Sequence, residues 1–163
     1  MSKLEILKVG PVTAKSGILY NFSESDLLDM ANAYNPILYR APLVIGHPSE
    51  QAPAYGFVNR LSYDNGKLLA EPAQVDPQFS EMVNSGKLLS LSASFYAPNA
   101  PNNPKPGTTY LRHVGFLGAV PPAVKGLAFP QFAEGNNRII EFTDDSTKRL
   151  AAGTIPWNIT SYV

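Results

Sequence analysis

The segment GKLLSLSASFYAP, residues 86–98, decides how the rest of the chain is interpreted. Within it Ser90, Ser92 and Ser94 alternate with leucine, alanine and phenylalanine. Because successive side chains of a β-strand point to opposite faces of the sheet, this alternation predicts a strand with all three hydroxyls on one face and apolar side chains on the other. The row of hydroxyls is then either a solvated face or the location of a nucleophile.

The overall composition is that of one neutral domain. At 163 residues the chain is long enough to bury roughly two-thirds of its unfolded surface. The 13 basic and 13 acidic residues balance, so neither nucleic acid nor an anionic membrane is predicted as a partner. No apolar run reaches the roughly 20 residues that span a bilayer, and the first residues lack a secretory apolar core, which predicts a cytosolic protein. The absence of cysteine excludes disulfides, thiolate zinc sites and cysteine nucleophiles.

Two helices are predicted from their capping residues. Residues 22–36 begin a helix with the cap Ser23 and its box partner Asp26, followed by an apolar stripe of helical period. Residues 75–87 begin a second helix after the cap Asp76. The apolar face predicted for this second helix consists of Phe79, Met82 and Val83.

Strand signals surround these helices. Residues 3–9 and 41–48 each contain a short apolar run, Asp64-Asn65-Gly66 marks a tight hairpin, and residues 108–120 return as a strand after a loop rich in proline and asparagine. Fifteen prolines and twelve glycines divide the chain into such short segments. The pattern predicts an α+β fold, with a mostly antiparallel β-barrel or curled sheet and short flanking helices. Residues 1–142 form the predicted domain.

The chemistry available to the serine strand depends on histidine. A serine hydroxyl attacks only when a neighbouring base takes its proton and a third group orients that base. The chain has two histidines. His47 occupies a Gly-His-Pro turn, and His113 lies on the strand after Ser92, where an antiparallel neighbour is brought alongside. A Ser-His-His site is therefore possible, although the residues alone do not choose among the three serines.

Several other roles remain open for neighbouring polar residues. Glu71 is a rival to His113 as the group that orients the base, and Arg112 and Lys87 are candidates to stabilise an oxyanion. Each of the three is otherwise an ordinary surface charge. His47 and His113 are also possible metal ligands, but no further ligand is evident near them in sequence, so neither a metal nor a cofactor is predicted.

Three segments carry a resemblance to a known family. LVIGHP, LLSLSASFY and YLRHVGFLGAVPPAVKGL resemble the corresponding segments of tailed-phage prohead proteases, in particular the group related to the Mu-like prophage I protein. The resemblance covers roughly residues 1–142. It implies a fold similar to herpesvirus assemblin, which is a seven-stranded β-barrel ringed by helices. It also implies a serine endopeptidase that cleaves scaffold and capsid-protein segments during head maturation.

The resemblance assigns roles to three residues. Ser92 matches the Ser-x-x-Phe pattern of the family and is implied to be the nucleophile, His47 matches the upstream general base, and His113 resembles the second histidine of assemblin. The implied partners are the major capsid protein, the scaffold and further copies of the chain. The implied location is the host cytoplasm, inside or on the assembling phage head.

Two hypotheses from other classes stay open. Proteases of this group are often continued by a charged scaffold coiled coil, which this sequence lacks, so the chain is alternatively a non-catalytic decoration or cement protein that reuses the protease fold. An unrelated esterase or peptidase is the third hypothesis, and it lacks the Gly-x-Ser-x-Gly motif that would support it.

The end of the sequence, residues 143–163, is predicted to be an extended tail. Its composition cannot build a core of its own, yet it contains apolar and aromatic residues of the types found in interface hot spots. We expect it to lie against another subunit or a capsid protein, and the alternative is that it closes over an edge of its own domain. The candidate anchor residues are Ile155, Trp157, Ile159, Tyr162 and Val163.

Overall fold

The computed structural model describes residues 3–48, 51–88, 90–118, 139–143 and 159–162. These residues contain nine strands and two helices: β1 (Leu4–Lys8), β2 (Gly10–Thr13), β3 (Leu19–Phe22), α1 (Glu24–Ala33), β4 (Leu43–Ile45), β5 (Phe57–Asp64), β6 (Lys67–Ala73), α2 (Pro77–Asn84), β7 (Ser90–Tyr96), β8 (Tyr110–Leu117) and β9 (Ile139–Thr143). A short 3₁₀ turn, Thr160–Tyr162, follows near the end of the chain.

The strands form three sheets. The first is three-stranded, in the order β1-β6-β5, and the second is the β2-β3 hairpin. The third is four-stranded, in the order β4-β8-β7-β9. Every pair is antiparallel except β4 with β8. The predicted α+β class, with mostly antiparallel strands and two helices, is confirmed.

The predicted barrel is not closed by the described residues. A few hydrogen bonds link neighbouring sheets where a closed barrel would have continuous ladders. Pro42, next to β4, bridges to Phe57 of β5, and Lys15 N, just after β2, donates to Glu141 O of β9 at 3.0 Å. The link toward β5 is short. Val58 N donates to Ala41 O at 2.8 Å, Leu43 N to Gly56 O at 2.8 Å and Tyr55 N to Leu43 O at 2.9 Å, and β4 itself is only three residues long.

The first helix forms as its sequence predicts. Ser23 Oγ accepts from Asp26 N at 3.1 Å, and Asp26 Oδ2 accepts from Ser23 N at 2.9 Å, so both members of the capping box are satisfied. Leu27, Met30 and Ala33 are buried on one face of α1. Neither helix of the described part of the chain has the length and apolar character that crossing a bilayer requires.

The second helix differs from its prediction at one position. Asp76 caps α2 by accepting from the backbone of Gln78 at 2.8 Å and of Phe79 at 3.0 Å. Phe79 and Val83 are buried as expected, because residues four apart share a helix face. The expected burial of Met82 is wrong, since Met82 is exposed and Ser80 lies on the buried face in its place.

The hairpin between β5 and β6 has the turn that its sequence predicts. Asn65 and Gly66 have φ angles of 49° and 83°, and Asn-Gly is the pair that most readily adopts two positive φ angles. β5 and β6 pair along their whole length from this turn, with one irregularity between Val58 and Arg60. The turn thus sets the register of the three-stranded sheet.

The predicted tail is described only at its two ends. β9 crosses the predicted boundary, because it continues from residue 142 into Thr143. Ile159 is completely buried in the main core, and Tyr162 O accepts from Val75 N at 3.1 Å. For residues 159–162 the stated alternative therefore applies, because these residues pack on their own domain, while contact of the tail with another subunit stays a prediction. Trp157 and the other anchors apart from Ile159 and Tyr162 lie outside the described residues.

Candidate active site

The row of serines on β7 is not a solvated face. Ser92 and Ser94 are 0 % exposed and Ser90 is 8 % exposed, while Leu91, Ala93 and Phe95 are buried on the other side. β7 is an inner strand, paired with β8 along one edge and with β9 along the other. Polar groups of a buried strand need hydrogen-bond partners, and for Ser92 that partner is a histidine.

Ser92 contacts the base predicted for it. His47 Nε2 lies 2.6 Å from Ser92 Oγ, which is hydrogen-bond distance. On the other side of the ring, His47 Nδ1 lies 2.7 Å from His113 Nε2. The structure therefore brings together all three predicted site residues, in the order Ser92, His47, His113. Their catalytic role stays a prediction.

The turn that carries His47 can approach the sheet because of a glycine. Gly115 pairs with Ser92 across β7 and β8. A Cβ at Gly115 would lie 2.3 Å from Gly46 O and 3.3 Å from His47 Cε1, which is too close for any larger residue. His47 thus lies directly over the bare backbone at Gly115, and its ring reaches Ser92 from that position.

The register of the sheet places two further polar residues beside the serines. Ser94 pairs with His113 on β8 and with Glu141 on β9. Directly opposite residues of antiparallel strands point to the same face, so the side chains of His113 and Glu141 flank Ser94 and both reach toward His47. Glu141 Oε2 lies 3.3 Å from His47 Nδ1.

Glu141 is the site residue that the sequence interpretation missed. The sequence analysis predicts no strand near residue 141, whereas β9 (Ile139–Thr143) is a strand with Ile140 and Phe142 buried. The signal was present in the segment IIEFT, whose β-branched and aromatic residues are typical of strands. Its position beside His113 depends on β9 pairing with β7, which a single sequence does not reveal.

Burial keeps both histidines neutral near neutral pH. The pKa of His47 is lowered to about 2, mainly by burial and then by electrostatic repulsion between its protonated form and His113, Lys15 and Arg112. The pKa of His113 is lowered to about 3, mainly by burial and then by Arg112. A neutral imidazole has one N–H and one lone pair. If Nε2 of His47 accepts the Ser92 proton, its Nδ1–H is directed at His113 and Glu141.

Burial and neighbouring charges have opposite effects on the pKa of the Glu141 carboxyl group. Burial raises its pKa, while the positive charges of Lys15 and Arg112 oppose that shift. Its side chain is 12 % exposed and that of His47 is 6 % exposed, so their interaction is shielded from solvent. A carboxylate at this position stabilises the positive charge that His47 acquires when it takes a proton.

Arg112 reaches the site through an irregularity in β8. The β7–β8 register shifts between Ser94 and Phe95, whose partners are His113 and Leu111, so Arg112 is the extra residue of a bulge. Its Nη1 donates to Ser94 Oγ at 3.2 Å and lies 3.9 Å from Glu141 Oε2, and its Nη2 donates to Pro48 O at 3.5 Å. The guanidinium thus links the His47 turn to Ser94.

The other residues considered from the sequence lie elsewhere. Glu71 is on β6, in the three-stranded sheet, and accepts from Asn59 Nδ2 at 3.3 Å, so it is not the carboxylate that contacts His47. Lys87 is exposed. A cleft of about 540 Å³ between β3, α1 and the loop after β7 has none of the site residues in its lining.

Comparisons of the chain with protein families, with curated proteins and with solved structures return no match.

Proposed function

We propose that the protein is a serine endopeptidase that uses Ser92 as nucleophile and His47 as general base. The observation that carries the proposal is the 2.6 Å contact between Ser92 Oγ and His47 Nε2, with Nδ1 of the same ring held by His113 and by Glu141. A nucleophile, a base and a group that orients the base are the minimum set for acyl transfer by serine.

The reaction follows from this arrangement. His47 Nε2 takes the proton of Ser92 as Oγ bonds to the peptide carbonyl carbon, which gives a tetrahedral intermediate. The C–N bond then breaks, and the amine leaves with the proton held by His47. Water, deprotonated by the same nitrogen, hydrolyses the ester and releases Ser92. During both steps the imidazolium of His47 is stabilised by Glu141 and oriented by His113 Nε2.

The substrate class in this proposal comes from the sequence resemblance. The segments around His47, Ser92 and His113 resemble tailed-phage prohead proteases, so the proposed substrates are scaffold and capsid-protein segments of an assembling head. The proposed fold relationship is to assemblin, and the proposed location is the phage head in the host cytoplasm. Mostly antiparallel strands with short helices are compatible with this relationship.

A second candidate function is favoured by one observation. Ser92 is completely buried, so a peptide carbonyl reaches Oγ only if neighbouring residues move. A head decoration or cement protein that reuses a protease fold would have no need of such access. The two candidates differ in a property that can be measured directly, which is the reactivity of Ser92.

The experiment is covalent labelling with a fluorophosphonate, which reacts with activated serines. We expect one adduct per chain, located at Ser92 by peptide mass analysis. Ser92→Ala should abolish the adduct without unfolding the domain. Ser90→Ala is the matched control, because it removes a neighbouring hydroxyl of the same strand and should still be labelled.

The outcomes separate the hypotheses. An adduct that survives in Ser92→Ala and is lost in Ser90→Ala would show that the wrong nucleophile has been assigned. A folded wild-type chain that forms no adduct, even with the capsid and scaffold proteins of the same genome present, would favour the decoration protein. If labelling occurs at Ser92, cleavage of those proteins on co-expression tests the substrate class.

A further inference from the structure

The contacts around His47 also describe a set of metal-ligand atoms. His47, His113 and Glu141 each offer one donor atom, and the three atoms lie within 4.8 Å of one another. Two come from positions on either side of Ser94 in one sheet, since His113 and Glu141 both pair with Ser94, and the third comes from the turn above it. We propose that these three residues bind one Zn²⁺ ion.

Two of the three donor-atom separations can be compared directly with those of a zinc site, and the third is below 4.8 Å. With zinc–ligand bonds of about 2.0–2.1 Å, tetrahedral ligands lie about 3.3 Å apart. His47 Nδ1 and Glu141 Oε2 are 3.3 Å apart, and His47 Nδ1 and His113 Nε2 are 2.7 Å apart. The two imidazoles therefore need to separate by about 0.6 Å to accommodate the ion.

The donor types select zinc over the hard cations. Two imidazole nitrogens and one carboxylate match the three-ligand zinc sites that keep a fourth position open, whereas Ca²⁺ and Mg²⁺ prefer six or more oxygens. One carboxylate also offsets part of the ionic charge in a buried setting. Arg112, 3.9 Å from Glu141 Oε2, and Lys15, which acts on both Glu141 and His47, oppose a cation. The affinity is therefore lower than in a site with no positive neighbours.

Zinc at this position blocks the chemistry of Ser92. A metal on Nδ1 of His47 uses that lone pair, so the proton of the neutral ring is on Nε2. Nε2 then donates to Ser92 Oγ and cannot accept its proton. Zinc binding itself depends only on the geometry, whereas this inhibitory consequence rests on the proposed function. The ion would hold the enzyme in a reversible inactive state.

The first test measures binding alone, by titration of tag-free protein with Zn²⁺ in a calorimeter. We expect a saturable isotherm with one ion per chain. Because the chain has two histidines and no cysteine, Co²⁺ bound through imidazole must use His47 or His113, and it reports its coordination number through its visible absorption. His113→Asn should weaken Zn²⁺ binding at least about 100-fold, since loss of even an outer partner of a ligand costs 10–100-fold.

Two matched carboxylate variants locate the third ligand. Glu141→Gln keeps the shape of the side chain and should weaken Zn²⁺ binding at least about 10-fold. Glu71→Gln makes the same change on β6 and should leave the isotherm unchanged. The proposal is overturned if wild type gives no saturable one-to-one binding, or if Glu141→Gln and His113→Asn, with thermal melts that confirm folding, bind as tightly as wild type.

The second test measures whether bound Zn²⁺ changes the reactivity of Ser92. Zn²⁺ at saturation should abolish fluorophosphonate labelling of wild type, and a chelator should restore it. Full labelling of zinc-saturated protein would overturn the inhibitory part. If the metal-free protein is never labelled, the proposed peptidase function fails, while the calorimetric isotherm still decides whether the zinc site exists.

Discussion

The two larger sheets differ in the side chains that they bury: the three-stranded sheet buries apolar side chains, and the four-stranded sheet also buries polar ones. In the three-stranded sheet every fully buried side chain is apolar, and its one described ion pair, Lys67 with Glu5, is 45 % and 51 % exposed. In the four-stranded sheet Ser90, Ser92, Ser94 and His113 are buried, and Glu141 beside them is largely shielded.

The difference separates the part of the fold that supplies stability from the part that supplies a site. Burial of a polar group costs free energy unless it is hydrogen-bonded, and an all-apolar sheet avoids that cost. In the four-stranded sheet most of the buried polar side chains are hydrogen-bonded to other polar side chains of the same cluster, which offsets this cost. The Ser92–His47–His113 contacts are an example. Such self-contained polar networks are typical of functional sites.

The comparison between the sheets is tested most strongly by removing the base His47, which should have the largest effect on the rate of Ser92 labelling. His47→Ala should lower the rate of Ser92 labelling by about 10⁴-fold or more, because an unassisted serine hydroxyl is a weak nucleophile. Glu71→Gln, on β6 of the three-stranded sheet, should leave the rate unchanged. The labelling rate constants of the two variants are compared with wild type. A fall in Glu71→Gln comparable to that in His47→Ala would break the division between the sheets.

The next largest effects are expected from His113 and Glu141, which contact Nδ1 of His47 on the side of the ring away from Ser92. A group that orients the base does not itself take the serine proton, so activity survives its loss in part. His113→Ala should lower the labelling rate by about 10³-fold, and Glu141→Gln by about 10-fold, each leaving it above His47→Ala. The shorter contact to Nδ1, 2.7 Å against 3.3 Å, motivates this order. Wild-type activity in His113→Ala would identify Glu141 as the orienting group.

An effect between those of His113→Ala and Glu141→Gln is expected from Gly115, which lies under the His47 turn. In Gly115→Ala the new methyl group would meet Gly46 O, so the turn that carries His47 must move outward. Displacement of a reacting group by about 1 Å can cost about 10²-fold in rate. Gly118→Ala is the control, because its Cβ would meet Lys87 O at 3.2 Å and Leu88 Cδ2 at 3.7 Å and no atom of the His47 turn. An equal loss in both variants would show that β8, and not the His47 turn, is sensitive to added volume.

The elements with local signals were predictable from sequence, and the relations between them were not. Ser23, Asp76 and the Asn65-Gly66 turn act within a few residues, and all three have the predicted roles. β2 and β3 are short strands with no such marker, and β9 has only the strand-like composition of IIEFT. Their existence depends on pairing with distant partners, which a single sequence does not specify.

The same division applies to the candidate site. His47 and His113 are predictable because a chain with two histidines offers few bases, whereas the choice of Ser92 among the three serines comes from the family resemblance. The sequence offers Glu71, and not Glu141, as a carboxylate that orients His47, because the choice between them depends on which strand lies beside β7. The burial of the serine row was also unpredictable, because it results from the turn over Gly115 and from pairing at both edges.

Acid should destabilise the protein through the four-stranded sheet. His47 and His113 are the only histidines, and their pKa values in the fold, about 2 and about 3, lie below the ordinary 6.5. As the pH falls through 6.5, the unfolded chain gains protons that the folded chain does not, so the free energy of unfolding decreases. The loss at pH 5 is about 2 kcal/mol per histidine, partly offset by the raised pKa of Glu141.

Denaturant unfolding at pH 7 and pH 5, with a chelator present, measures this loss. Wild type should lose about 2–4 kcal/mol between the two values. The double variant His47→Gln/His113→Asn should lose much less, because it has no group that titrates in this range by the same mechanism. An equal loss in the double variant would place the acid-sensitive group outside the four-stranded sheet.

The smallest effect is expected at the exposed ion pair of the three-stranded sheet. Lys67 Nζ lies 3.1 Å from Glu5 Oε2, but both side chains are about half exposed, and water and salt screen such pairs. Glu5→Gln should therefore change the free energy of unfolding by less than about 0.5 kcal/mol, with no effect on Ser92 labelling. The matched change Glu141→Gln alters a shielded carboxylate beside His47 and should affect labelling. If Glu5→Gln cost more than about 1 kcal/mol at physiological salt, charge in the three-stranded sheet would be contributing to stability, and the contrast between the two sheets would rest on reactivity alone.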